Sequence, residues 1–464
     1  MADAFDVVVI GGGPAGENAA ARTAAGGLST ALVEVERLGG ECSYWACIPS
    51  KALLRPPDLV WLARHSSGVR EAFKGPIDAA KVLERRDELV HHYDDSSQAE
   101  WARKAKLEVV RGHGRLGGPR TVRVTSRDGG TRELTARRAV VLATGSRARI
   151  PDVPGLHEAR PWTNREGTGA KDVPRRLVVM GGGVVAAELS QAWRALGSEE
   201  VTLLERGPHI LGRVEPFARE LVEKALRESG ITVRTGTQVT RVHRPGGQGE
   251  VTVTLSTGET LSADELLVAT GRVPATQDVG LETVGLTPGK PVEVDDELRA
   301  WGVEGGWLYA CGDVNGRNLL THMGKYQARL VGDNILGRQS HAWADARVTP
   351  QVIFTHPQLA SVGLTEVQAR ERGFPVRTVQ VGMDSVAGTA LLGEGFDGAV
   401  KLVVDEKRRI LLGATFVGPE AGELLHAATV AVAGEVTLDT LWHAVPAYPT
   451  VSEVWLRLLE AYGL

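Results

Sequence analysis

Two segments of this 464-residue chain share one grammar, and that grammar leaves little freedom in what the chain can fold into. The first runs from a β-branched apolar stretch, Phe5–Ile10, into Gly11-Gly12-Gly13-Pro14-Ala15-Gly16, through an alanine-rich helical stretch, Glu17–Ala25, to a second apolar run, Ala31–Val33, that stops at Glu34. The second begins at Leu177–Met180, turns through Gly181-Gly182-Gly183-Val184-Val185-Ala186 into a helix, and closes with Val201–Leu204 stopping at Glu205. A buried strand, a glycine turn, a helix start and a second strand ending in an acid make the βαβ unit that holds a dinucleotide. The turn and helix N-terminus offer N–H groups to a pyrophosphate, and the acid accepts hydrogen bonds from ribose hydroxyls. Two copies predict an α/β chain with two Rossmann-like dinucleotide sites. Gly11, Gly13, Gly16 and Glu34 are the candidate residues of the first, and Gly181, Gly183, Ala186 and Glu205 those of the second.

Two Ala-Thr-Gly turns bracket the second motif. Each closes an apolar strand, Ala139–Leu142 before Ala143-Thr144-Gly145 and Leu266–Val268 before Ala269-Thr270-Gly271. The chain is read as leaving its first domain after Gly145 and re-entering near Gly271, returning through Trp307–Cys311 to a Gly312-Asp313 turn. From about Asp345 the pattern becomes a helix, Thr365–Arg372, then strands around Val376–Val381. A hairpin follows, with arms Ala399–Val404 and Ile410–Val417 about a charged turn, and helical patterning runs from Glu420 onward. The expected organisation is a discontinuous first domain, 1–148 and 272–342, an inserted domain, 149–271, and a C-terminal α+β domain, 343–464. Within the first, Ala79–Lys106 reads as one long amphipathic helix, with His91 and His92 on its solvated face.

Composition sets outer bounds. Lys plus Arg number 53 and Asp plus Glu 57, a net charge of −4, so no field attracts nucleic acid or anionic lipid. Met1–Asp6 lacks a charged-then-apolar signal and no apolar run reaches about 18 residues, so the expectation is a cytoplasmic protein without a membrane span. Three cysteines cannot form a disulfide scaffold, yet Cys42 and Cys47 lie close together, which reads as redox-active or metal-binding. No second cysteine pair and no histidine pair at ligand spacing accompanies them, so redox is favoured over zinc and no metal is expected. Cys47 precedes Pro49 at a helix entrance, where the dipole lowers a thiol's pKa. Cys311 reads as a packed strand-end thiol.

The run Gly39-Gly40-Glu41-Cys42-Ser43-Tyr44-Trp45-Ala46-Cys47-Ile48-Pro49-Ser50-Lys51 follows the first motif at once. Together with the two nucleotide motifs, the paired Ala-Thr-Gly turns and the Gly-Asp turn, it resembles the class I pyridine nucleotide-disulfide oxidoreductases. That flavoprotein family includes dihydrolipoyl dehydrogenase, glutathione reductase and mercuric reductase. Phe354-Thr355-His356-Pro357 and Val362-Gly363-Leu364-Thr365-Glu366 resemble the start of the family's dimerisation domain, so the likeness spans the chain. It implies a homodimer with an active site shared between subunits, FAD on the first glycine turn with Thr144, Gly145 and Asp313, and a nicotinamide nucleotide on the second with Arg206 and Gly271. It further implies Cys47 as the thiolate facing the flavin, Cys42 as the interchange thiol, and a Lys51–Glu188 ion pair.

Two departures from the family bear on activity. Glu205 would repel a 2′-phosphate and favours NADH, whereas Ala186 in place of a third glycine and the adjacent Arg206 keep NADPH open. Where relatives carry a His-Pro-Thr segment with a histidine base oriented by a glutamate five residues on, this chain has Tyr448-Pro449-Thr450-Val451-Ser452-Glu453. A free phenol titrates near 10 against about 6.5 for imidazole, and a positioned base is worth about 10²–10⁴ in rate. Weak lipoamide or glutathione turnover is the expectation, with His443 the other candidate base. The leading reading is a dihydrolipoyl dehydrogenase-like reductase passing electrons from NAD(P)H through FAD to a disulfide or another small acceptor. A quinone reductase or transhydrogenase that does not require the thiols stays open beside it, as does, remotely, a non-catalytic flavin-binding subunit. Ser43–Ala46, with its two aromatics, serves either core packing or a platform for a flat acceptor.

Overall fold

The computed structural model describes residues 3–464. These fall into two compact units, one made of Met1–Pro49, Asp87–Ala148 and Arg272–Asp345, the other of Ser50–Arg86, Arg149–Gly271 and Ala346–Leu464. The expected inserted and C-terminal segments thus share one unit, and residues 50–86 join them instead of the first domain. The reason lies in side chains: Leu53, Leu54, Val82 and Leu83 bury into the same core as Leu177, Val179, Leu189, Trp193 and Leu203.

The first unit is built on a seven-stranded sheet. Glu108–Arg111, Thr30–Glu34, Asp3–Ile10 and Thr131–Leu142 lie side by side in parallel, in that order. The 12-residue strand Thr131–Leu142 outlasts its neighbours and serves two partners on its far edge. Its first half pairs with Thr121–Thr125 of an antiparallel meander, and its last three residues pair in parallel with Leu308–Ala310. Val7–Ile10 and Ala139–Leu142 are almost fully buried, as strands covered on both faces require. The chain leaves and re-enters this unit along one two-stranded ribbon, Ser146–Ala148 against Arg272–Pro274.

The second unit holds a parallel sheet ordered Ile231–Arg234, Glu200–Leu204, Arg176–Met180, Glu265–Val268, flanked by a three-stranded meander. Its C-terminal part is a five-stranded antiparallel sheet in which the hairpin Ala399–Asp405 and Ile410–Gly418 is central. Lys401 from that hairpin reaches Glu215 and Glu366, at 2.9 and 2.7 Å, and Glu215 is 1% exposed, so a triad centred on one buried carboxylate ties this sheet to the loop before the helix Pro216–Glu228.

Two expected helices are broken. Ala79–Lys106 is Ala79–Leu89 and Ser96–Lys104, separated by His91, His92 and Tyr93, which take positive φ of 51°, 50° and 63°. Three successive left-handed residues cannot continue a right-handed helix. Tyr93 is held there by Arg37 Nε, which donates to its carbonyl at 2.6 Å, and by stacking on Trp45. His91 and His92 are exposed, on a turn instead of a helix. The C-terminal helical stretch is Ala421–Ala433, Leu438–Trp442 and Val454–Tyr462, with an exposed segment from Trp442 to Thr450 containing Pro446 and Pro449. Among the described residues no helix is long and apolar enough to cross a membrane.

Candidate active site

Both glycine turns work by close approach. Gly11, at φ 105°, comes so near the neighbouring strand that a Cβ would lie 2.4 Å from Ala143 O, and Gly181, at φ 120°, stands in the same relation to Ala269 O. The helix Pro14–Ala25 then crosses back over the turn, and a Cβ on Gly16 would lie 1.8 Å from Gly11 O. In the second turn the corresponding Ala186 is accommodated, fully buried. Gly13, by contrast, opens onto space: a Cβ there would meet only Gly40 Cα, at 3.9 Å. This leaves room for a ligand against the helix N-terminus.

Glu34 ends its strand with both carboxylate oxygens engaged, Oε2 accepting from Gly12 N and Oε1 from Glu36 N, each at 2.6 Å. Burial raises its pKa, and these two backbone donors oppose the rise. Glu17, one turn into the helix, is pushed up by burial to about 7, and its Oε1 is buried without a partner. Thr144 donates from Oγ1 to Ala275 O at 2.9 Å, and Gly145 sits at φ 72° with open space beside it. Asp313 Oδ2 accepts from Ser146 Oγ at 2.5 Å. Arg272 Nε donates to that same Ser146 Oγ at 2.6 Å, and its Nη2 lies 3.6 Å from Glu41. Burial raises the Asp313 pKa, with Ser146 and Arg272 opposing. Sequence reading missed Ser146, Arg272 and Glu41, although Arg272 directly follows the second Ala-Thr-Gly turn.

Cys42 lies in the short helix Gly40–Tyr44, and Cys47 opens the helix Cys47–Arg64. The two are not joined in a disulfide here and lie within hydrogen-bond reach of each other. Thr321 Oγ1, in the first turn of the helix Thr321–Ile335, stands 3.3 Å from Cys47 Sγ. The bond to Cys47, burial and the charge on Cys47 all raise the Cys42 pKa, against smaller opposing effects of Thr321 and Lys325. Tyr44 is fully buried and directs its hydroxyl to Asp94 O at 3.3 Å, so it packs the core. Trp45 stacks on Tyr93 with centroids 4.7 Å apart, and Arg37 lies over its ring. Cys311 is fully buried, with its thiol pushed up to about 12.

In the second unit, Lys51 Nζ lies 2.7 Å from Glu188 Oε2. Glu188 Oε1 accepts from Phe354 N at 2.8 Å, and Lys51 sits over the Phe354 ring at 4.8 Å. Glu205 Oε1 accepts from Gly207 N at 2.5 Å, and Gly271 has φ 116° with open space about it. Arg206 is exposed. Tyr448 is 76% exposed, whereas Glu453 is buried with Oε2 unpartnered, so the two make no pair within the chain. His443 is exposed.

The chain belongs to the pyridine nucleotide-disulphide oxidoreductases: that family's model matches residues 5–331, and the family's dimerisation-domain model matches residues 349–458. It is an α/β enzyme with the two dinucleotide-binding folds of that family. Among curated relatives, mercuric reductase from Staphylococcus aureus is 32% identical over 97% of this chain and 81% of its own length. Dihydrolipoyl dehydrogenase from Mycobacterium tuberculosis is 34% identical over 97% and 96% respectively. Among solved structures, LpdA from Mycobacterium tuberculosis superposes with a TM-score of 0.87 at 26% identity over the full length of both chains. The HOCl-induced flavoprotein disulfide reductase RclA from Escherichia coli does so with 0.86 at 25% identity over 99% of each.

Proposed function

We propose that this chain is a cytoplasmic, homodimeric, FAD-dependent reductase that takes electrons from NAD(P)H, NADH before NADPH, and delivers them through Cys42 and Cys47 to a small acceptor. The cysteine pair carries the reading: two thiols within hydrogen-bond reach, one at the start of an 18-residue helix and beside a threonine hydroxyl. The first glycine turn fits FAD. The open space at Gly13 takes a pyrophosphate, Glu34 has lone pairs left for ribose hydroxyls, and Asp313, braced by Ser146, takes the ribityl chain. Bound there, FAD supplies the two-electron transfer between nicotinamide and the cysteine pair.

The chain's own residues supply charge and proton control. Thr321 Oγ1 and the helix N-terminus stabilise negative charge on Cys47. Lys51, held by Glu188, carries a fixed positive charge one helical turn along. Cys47 and burial hold the Cys42 pKa above its ordinary value, so its attack on an acceptor disulfide needs a base. Tyr448, exposed and contributed across a dimer, stands at that place in the sequence. For the nicotinamide nucleotide, the second turn offers Gly181, Gly183 and Ala186, with Gly271 open beside them. Glu205 stays free at Oε2 for a ribose hydroxyl and opposes a 2′-phosphate, against an exposed Arg206.

Tyrosine at position 448 also supports a second reading, in which electrons leave for a quinone or a second nicotinamide without thiol exchange. Anaerobic NADH turnover with lipoamide and with a small quinone, on the wild type and on Cys42→Ser, tests both. The thiol route requires Cys42→Ser to abolish turnover with the preferred acceptor, and unchanged turnover assigns the second reading.

A further inference from the structure

The second unit contains a cavity of about 610 Å³ that no part of the proposed redox chemistry uses. One wall is a stripe of the helix Cys47–Arg64: Pro57, Val60, Trp61 and Arg64, spaced so as to share a face. The opposite wall is the end of the helix Val184–Ala195, with Gln191, Arg194 and Ala195, and Pro76–Ile77 borders the opening. A space of this volume takes a molecule of a few rings.

The lining carries a sign. Arg64, Arg194, His65 and His356 border the cavity against a single acid, Glu228. Arg194 Nη1 donates to Ser198 O at 2.8 Å, but its Nε is buried without a partner. His356 is 5% exposed, and neither ring nitrogen has a hydrogen-bond partner; Asp58 Oδ1 stands off at 3.6 Å from Nδ1. The backbone of His356 is pinned in place, its N donating to Gln191 Oε1 at 2.7 Å and its O accepting from Gln191 Nε2 at 3.0 Å. Unsatisfied buried donors and acceptors destabilise a fold. Here three such atoms, Arg194 Nε and both His356 ring nitrogens, belong to residues bordering one cavity, and the His356 ring lies stacked with Trp61 at 6.4 Å.

The geometry points to a second ligand site that takes a planar aromatic anion. Trp61, Pro57 and Pro76 supply apolar walls, and Arg64 and Arg194 the countercharge. Trp61 follows Lys51 by ten residues, about 15 Å of helix, so the ligand is an effector held apart from the cysteines and independent of how they react. The test uses the FAD-loaded full-length protein and 8-anilinonaphthalene-1-sulfonate, with uncharged N-phenyl-1-naphthylamine as the control probe. The sulfonate should bind saturably, one per chain, without competition from NADH. Arg64→Met, an exposed position that puts no fold at risk, should weaken the sulfonate by about tenfold, the share of one charge-assisted contact, and leave the neutral probe unchanged. Ala195→Trp, which fills the cavity, should abolish both. Absence of saturable binding, displacement by NADH, or binding indifferent to both substitutions overturns the assignment.

Discussion

Lys51→Met isolates the energetics of the Lys51–Glu188 ion pair, which links the cysteine-bearing helix to the helix behind the second nucleotide turn. In the native protein the Glu188 side chain is 4% exposed, with Lys51 on one oxygen and the Phe354 N–H on the other. Removing the partner of a fully buried charge costs about 3–5 kcal/mol. Lys51 is 34% exposed, which admits solvent to the pair, and Glu188 keeps its backbone donor, so the expected loss is about 1–3 kcal/mol. For a unit of this size that corresponds to a fall in apparent melting temperature of roughly 2–10 °C. The assay is thermal unfolding of the FAD-loaded protein at fixed protein and flavin concentration, because bound ligand shifts the midpoint. Adding Glu188→Gln to Lys51→Met removes the stranded charge while leaving an oxygen for Phe354 N, and should recover most of the loss. A single variant as stable as the wild type, or a double variant no better than Lys51→Met, would refute the reasoning.

Three further outcomes are expected. Tyr448→His should raise NADH-driven lipoamide reduction by about 10²-fold near pH 7.5 in steady-state assays, since it restores a base for Cys42, whose pKa Cys47 and burial raise; no gain would separate Tyr448 from proton transfer. Gly16→Ala should leave the protein with less than one FAD per chain, read from its absorbance, because the added Cβ would overlap Gly11 O and overpacking costs about 1–3 kcal/mol or more. Glu17, raised from an ordinary value near 4.5 to about 7, binds its proton more tightly folded than unfolded. Its contribution to stability is therefore complete below about pH 4.5 and is lost as pH rises to about 7, by up to about 3 kcal/mol; Glu17→Gln should flatten that part of the melting-temperature profile.

The glycine turns were legible because sterics leave no alternative: positions with positive φ and a carbonyl under 2.5 Å from a would-be Cβ admit glycine alone. The cysteine pair was legible because a cysteine-poor chain gives each cysteine few uses. The break at His91–Tyr93 was not, because the periodicity of Ala79–Lys106 is helical throughout and the interruption is imposed by Arg37 and Trp45, far off in sequence. The grouping of residues 50–86 with the second unit was hidden for a related reason: an apolar pair such as Leu53 and Leu54 announces burial but not the surface it buries against. Ser146, Arg272 and Glu41 form a network only because three distant segments converge, and no local spacing encodes that. The fate of Tyr44 and Trp45 needed coordinates too, one going to the core and the other to a stack with Tyr93.

The burial of Cys311 gives this chain a built-in counting device. A thiol with no exposed surface and a pKa near 12 is silent toward alkylating reagents in the folded protein. Of three cysteines, only Cys42 and Cys47 are then open to labelling, and on the proposed chemistry only when reduced. Intact mass during alkylation of the folded protein should read zero additions for the oxidised chain; the reduced chain should gain one addition first at Cys47 and a second more slowly at Cys42, whose thiol pKa Cys47 and burial push up, and the third should wait for unfolding. One mass spectrum can thus report the redox state of the pair and the integrity of the sheet that covers Cys311, without a flavin signal or an added probe.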